Sequence, residues 1–307
     1  MRRLTAVAVL TLLSAACSHM EMIEEEFSPP PAPENGMQIQ LKEVQGLQPG
    51  TSYEYCTWTD QITTTELSVK AMEGFQTKIG HHVIMFYTTK MQPPGTTREC
   101  TEMDMASFRF AGGSAGEGAE SVVPGNLVYK IPKGVQLVVN HHYLNATQNV
   151  LTGKSALNIR FANPGTPQVT AGHLAYVNTD LRIPVGKSSM DILCTMKRDE
   201  KVWRLIPHMH RWGQTTRIDI VVGGVTQRLF DLPWQDDFTF HAPEKTWPIE
   251  QPLLMKAGDQ VKVHCEWDNT TDKPMTFGME MCVAFGNTIN AEERENIACD
   301  NGEWVEF

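Results

Sequence analysis

The chain has no surplus of positive charge. Its 26 Lys and Arg residues stand against 36 Asp and Glu, a formal net charge of -10. A nucleic-acid partner calls for a basic stripe, and a polybasic membrane patch for clustered Lys and Arg, so the balance argues against both. Also missing is an apolar run of about 20 residues, the length needed to span a bilayer as a helix. No long stretch keeps a 3.6-residue apolar period, and no internal repeat stands out. The composition, 41% hydrophobic and 20% charged, fits neither a disordered chain nor an integral membrane protein. Cysteine is scarce and odd in number: seven residues leave one that needs a job apart from pairing.

What is present is a sequence of short strands. From Gln38 onward, β-branched and aromatic runs alternate with Gly, Pro, Asn and Asp, as in residues 135–139 and in residues 217–222, which Gly223-Gly224 follows. The 307 residues suggest two domains at about 150 residues each. A soft join falls at residues 163–167, and the glycine-rich run 112–118 reads as a mobile loop. The expected fold class is all-β, with two antiparallel β-sandwich (jelly-roll) domains in tandem, residues 37–167 and 168–307.

The seventh cysteine has a place near the start. Arg2 and Arg3 precede a thirteen-residue uncharged run from Leu4 to Ala16, which closes on Leu13-Ser14-Ala15-Ala16 directly before Cys17. This has the form of a signal peptide, residues 1–16. Small residues before a cysteine resemble the lipobox of bacterial lipoproteins, which implies lipidation at Cys17 and a bacterial cell-envelope location, anchored to the membrane and facing the periplasm or exterior. Ser14 stands where Leu is commoner. Residues 17–36, with three consecutive glutamates and Pro29 to Pro31, read as an acidic, semi-extended tether. Removing residues 1–16 takes away Arg2 and Arg3, leaving 24 positive against 36 negative residues, or -12.

Six of the ten histidines are clustered: His81-His82, His141-His142 and His208-Met209-His210. Imidazole is the commonest metal ligand, so clustering points toward a metal site. On a strand, His208 and His210 would share a face, with Met209 turned away. Adjacent His81 and His82 can serve one ion only at a bulge or a strand end. Met279 and Met281 would share the strand face opposite Cys282. A thioether beside two imidazoles suits Cu(I), whereas three imidazoles suit a copper that cycles between oxidation states.

In order and spacing, these segments resemble the copper type II, ascorbate-dependent monooxygenases, the family of peptidylglycine α-hydroxylating and dopamine β-monooxygenases, over most of residues 50–300. Gly80-His81-His82-Val83 is similar to the family's His-His motif and Asn140-His141-His142-Tyr143 to its His-Tyr motif. Residues 171–174 and 183–186 resemble the entry to the second domain. Pro207-His208-Met209-His210 resembles the His-x-His motif, and Glu280-Met281-Cys282 the Met-Cys dipeptide. The resemblance implies two copper ions per chain, one held by His81, His82 and His142, the other by His208, His210 and Met281. It places Asn140 beside the first ion and leaves the roles of His141 and Met279 open. It also implies disulfides Cys56–Cys100, Cys194–Cys299 and Cys265–Cys282.

The activity so implied is hydroxylation of a substrate C–H bond with O2, catalysed by His208, His210 and Met281, with ascorbate or another one-electron donor as co-substrate. The first copper would supply the second electron. One departure bears on substrate. Where the peptide-amidating enzymes carry a guanidinium, a polar residue and a tyrosine, this chain has Ile206, Val283 and Phe285. A carboxylate buried against them would go unpaired, a loss of a few kcal/mol. The expected substrate is therefore a small apolar or aromatic molecule. The same ligands would also suit a copper-binding or copper-delivery lipoprotein without turnover, and the scaffold alone an adhesion or glycan-processing module.

Overall fold

The structure, a computed structural model, describes residues 27–105, 107–115, 118, 120–239, 241–289 and 296–306. Cys17, the signal segment and the first part of the tether lie outside them. Among the described residues the two helical pieces, Glu102–Met105 and Asp236–Thr239, are four residues each, and the remaining regular structure is strand. The protein is all-β, built as two antiparallel sandwiches in tandem.

Each sandwich has its own core. Leu127, Ile131, Leu137, Val139, Leu157 and Ile159 pack at the centre of the first. Leu174, Tyr176, Ile192, Ile218, Ile220, Val261, Val263 and Trp267 pack in the second. One sheet runs through both halves, because strand Leu127–Ile131 pairs in parallel with strand Val169–Val177 at Leu127 with Val169 and Val128 with Thr170. Trp203 and Ile289 of the second half are buried in the first core. The relative position of the halves is thus set by hydrogen bonds and by packing.

The pairing registers disclose a duplication that the sequence hides. In the first half, strand Gln136–Asn145 lies between Thr51–Ile62 and Gly80–Thr88; in the second, Gln260–Asn269 lies between Gly186–Thr195 and Gly213–Val222. Facing them, Gly36–Gln40, Ser155–Phe161 and Leu67–Gln76 have the order of Val169–Val177, Val283–Ile289 and Glu200–His208. Asn145 and Asn269 end equivalent strands in the same way. Each side chain donates to the carbonyl four residues on, at 2.8 Å in both, and accepts from the amide two residues on, at 3.0 Å in both.

Even an irregularity is duplicated. Gly80 pairs with Tyr143 and His82 with His142, so His81 is an extra residue bulged out of the ladder. In the second half Gly213 pairs with Trp267 and Thr215 with Glu266, bulging Gln214.

Three expectations change. Residues 109–115 form a strand on Gly80–Thr88, so the start of the glycine run is sheet rather than loop. Its glycines permit close approach, since a Cβ on Gly113 would meet the Val83 carbonyl oxygen at 2.8 Å. The Pro-rich end of the tether is docked: the carbonyl of Pro30 accepts from Gln38 at 2.6 Å and that of Pro31 from Asn158 at 3.3 Å. The first strand, Gly36–Gln40, begins within the segment read as tether. Gly223-Gly224 does turn a hairpin between Gly213–Val222 and Val225–Pro233, both glycines having positive φ.

Candidate metal centre

The bulge builds the first group. On a regular strand His81 and His82 would face opposite sides of the sheet; bulging His81 lets both meet His142, which stands opposite His82. The three imidazoles place ligand nitrogens all within 4.8 Å of one another. Gly80 makes the tight entry, since a Cβ there would meet the Gln76 side chain at 2.2 Å. Gln76 in turn donates to the His142 carbonyl at 3.2 Å and to Ser155 Oγ at 3.1 Å.

Neighbouring groups orient the rings. The Nε2–H of His82 donates to Asn140 Oδ1 at 2.8 Å, and Asn140 Nδ2 donates to Glu54 at 2.8 Å. That leaves His82 Nδ1 as the nitrogen with a lone pair, 3.0 Å from Nδ1 of His81. Ser52 Oγ is 2.7 Å from His142 Nε2. Asn140 is thus placed beside the group, in contact with one of its rings. His141 is excluded from it: fully buried, it has Thr57 on Nε2 at 3.0 Å and Tyr143 on Nδ1 at 3.1 Å.

The second pair is built differently from the expectation. Strand Glu200–His208 ends at His208, and His210 stands in the turn beyond it, so the two do not share a strand face. Their rings still meet, 5.0 Å apart, and Met209 is buried away from them. By register, His208 corresponds to Gln76 of the first half, each opposite the first residue of the next sheet strand. The turn from Gln76 to Gly80 is one residue shorter than that from His208 to Gly213, and the longer turn carries His210. The Nδ1–H of His210 donates to the Met279 carbonyl at 3.2 Å, leaving Nε2 as the lone-pair nitrogen. Residues 277–282 lie outside the strands: Gly278-Met279 is a turn, flanked by an isolated bridge between Phe277 and Glu280; Met279 is exposed and Met281 half-buried. Met281 packs against the cluster of Ala175, Val177, Val283 and Ala298.

Glu280 joins these parts. Its buried carboxylate accepts the amides of His210 at 2.5 Å, Trp212 at 3.0 Å and Met281 at 2.8 Å. Burial raises its pKa, and those same hydrogen bonds oppose the rise. One side chain therefore fixes the backbone of both His210 and Met281. Its only signal in the sequence was a place beside Met281, shared with many residues that do nothing.

The two histidine groups are not remote from each other. His81 and His210 lie edge to face with ring centres 6.2 Å apart. Burial holds His81 down to about 3 and His142 to about 2, with the neighbouring imidazoles, His210 among them, adding to both. Burial likewise pushes His208 well below its ordinary value, and His210, His81 and His82 add to the shift. Neutral imidazoles at neutral pH are ready donors to a metal. The His81–His82 pair also fits one sterically. Two imidazole–metal bonds of about 2.0–2.1 Å meeting at a right angle put their nitrogens about 2.9 Å apart, and the His81–His82 nitrogens stand at 3.0 Å.

Ile206, Val283 and Phe285 surround His208. Val283 pairs with His208 and Phe285 with Ile206 across the sheet, and the Phe285 ring, 40% exposed, is 5.7 Å from that of His208. The next side chain on that face, Arg204, is engaged by Asn287 at 2.8 Å and Glu244 at 3.6 Å. Of the remaining histidines, His173 stacks on Tyr129 at 4.1 Å, His241 pairs with Asp237 at 3.0 Å and His264 with Asp191 at 2.9 Å. All three expected disulfides are present, Cys56–Cys100, Cys194–Cys299 and Cys265–Cys282.

No family model matches the chain, and no curated protein matches it. Among solved structures it is similar to the major capsid protein P2 from bacteriophage PM2, at 10% identity and a TM-score of 0.34, over 84% of this chain and 99% of that one. A triple jelly-roll and turret protein of an archaeal virus is similar at 7% identity and a TM-score of 0.22, over 85% and 61%. Likenesses this remote identify neither a family nor a function.

Proposed function

We propose that the protein is a copper-dependent monooxygenase that hydroxylates a C–H bond of a small apolar or aromatic substrate. The observation that supports this reading best is the convergence of His81, His82 and His142 at a bulge, beside a second imidazole pair from the other half. Bound copper would supply one-electron redox chemistry and activation of O2. The net reaction is RH + O2 + 2 electrons + 2 protons to ROH + H2O, with ascorbate or another one-electron donor as the source of electrons.

The chain's own residues do the rest. His81, His82 and His142 would hold one ion, with Asn140 and Ser52 orienting the rings. His208, His210 and Met281 would hold the other, and Glu280 keeps the last two in register. Ile206 and Phe285 offer apolar side chains beside His208, Val283 being buried under them, and Arg204 further along that face is already paired. With Arg204 engaged, an anionic peptide end is poorly matched to these side chains. Three disulfides suit an oxidising compartment, in keeping with a lipid anchor at Cys17 on the bacterial envelope.

The test is oxygen consumption by copper-loaded protein with ascorbate across a panel of apolar, aromatic and glycine-extended peptide substrates. Uptake stimulated by an apolar or aromatic compound, and not by the peptides, is the expected result. Tight copper binding with no substrate-stimulated uptake across the panel would favour the copper-delivery reading instead.

A further inference from the structure

The two halves bring their histidines into ring contact. His81 reaches outward because it is the bulged residue, and His210 reaches toward it because its turn is one residue longer than the equivalent turn of the first half. The resulting chain of rings is unbroken. His82 to His142 is 5.0 Å, His142 to His81 4.7 Å, His81 to His210 6.2 Å and His210 to His208 5.0 Å. Both contact residues are held from behind. His210 is tied through its ring to Met279 and through its amide to Glu280, and Gly80 and Gln76 fix the entry to the bulge.

Charge is poorly matched to such closeness. Among the described residues, Glu54 lies 3.9 Å from His82, with its side chain about half exposed. Glu280, beside His210, spends its oxygens on three backbone amides. Imidazole ligands bring no negative charge of their own, so two neighbouring cations held by these rings would repel each other. Coulomb repulsion scales with the product of the charges, so it is about fourfold smaller for two Cu(I) than for two Cu(II) at the same spacing.

We propose that His81 and His210 join the two half-sites into one five-histidine centre, in which a bound pair of Cu(II) ions is magnetically coupled and held less readily than a pair of Cu(I) ions. The inference rests on the copper reading above and treats the two ions as one centre rather than as two separate sites. On that scaling the first electron relieves more repulsion than the second, so that one-electron-reduced protein accumulates part-way through a reductive titration.

Electron paramagnetic resonance tests this on the metal-free mature protein titrated with Cu(II), with total copper measured independently. At two equivalents the expected spectrum has fewer spins than coppers and a half-field transition, and the second ion binds more weakly than the first. A competition titration with Cu(I) should show a smaller gap between the two affinities. In His210→Ala the half-field line should vanish while one copper with its full spin remains; His210→Gln, which keeps polar bulk in the turn, should behave likewise. Two fully counted, isolated spins in the unaltered protein would overturn the joined centre and leave the copper reading intact. Failure to take up two coppers would overturn both.

Discussion

At the scale of single residues, the histidines sort by what holds their second nitrogen. His82, His142 and His210 each have one nitrogen engaged at the site's rim, whereas His141 has both engaged in the core. Sequence spacing marked all of these as candidates, and only long-range neighbours such as Thr57 and Asn140 separate them. Glu280 was illegible for the same reason, since its three amide donors come from positions up to 70 residues away. Glu280→Gln offers one carbonyl oxygen in place of two carboxylate oxygens and should leave at least one buried amide unpaired. The expected cost is about 1–3 kcal/mol by denaturant unfolding, with weaker copper binding at His210 and unchanged binding at His81, His82 and His142.

His173 gives a pH dependence apart from the metal centre. Burial, with Arg204 nearby, lowers its pKa to about 3, against about 6.5 in the unfolded chain. Between those values the unfolded state binds the extra proton. Stability from this group is therefore complete above about pH 6.5 and declines as pH falls toward 3. His173→Phe keeps a ring against Tyr129 and removes the titration, so its unfolding free energy should fall less steeply with acid than that of the unaltered protein. Equal slopes for the two across pH 6.5 to 3 would refute the assignment.

At the scale of elements, the decisive feature is the bulge. A bulge or strand end is the requirement that adjacent His81 and His82 place on any shared ion, and the ladder supplies the bulge at His81. The strand reading of His208 and His210, by contrast, fails because the strand stops at His208. Alternation shows which residues share a face only while the ladder lasts, and the end of a ladder is set by partners distant in the chain. The glycines of residues 109–115 mislead in a similar way, being there to let backbones approach rather than to loosen a loop. Gly80→Ala tests the bulge: with Gln76 2.2 Å from the new Cβ, something must shift. The expected outcome is destabilisation of about 1–3 kcal/mol together with weakened copper binding at the triad, measured by unfolding and chelator competition.

At the scale of the whole molecule, the all-β class and the two-core arrangement were legible because strand length, turn residues and chain length all point the same way. The three disulfides agree with the pairing implied by the family resemblance. Cys265–Cys282 ties the central strand of the second outer sheet to the segment carrying Met281. By loop length the bridges would stabilise by about 3 kcal/mol for Cys265–Cys282 and about 5 kcal/mol for Cys194–Cys299. The duplication was not legible, because equivalent positions such as His142 and Glu266, or His82 and Thr215, share a register and no side-chain chemistry. The central claim is that both halves together carry out copper-dependent hydroxylation. Its most direct test is to incubate copper-loaded protein and reductant with a cell extract under heavy-oxygen gas and to search by mass spectrometry for a labelled product. The account expects a compound carrying one heavy oxygen atom that disappears with Met281→Ala and with His82→Ala; no labelled compound, or one formed equally by both variants, would contradict it.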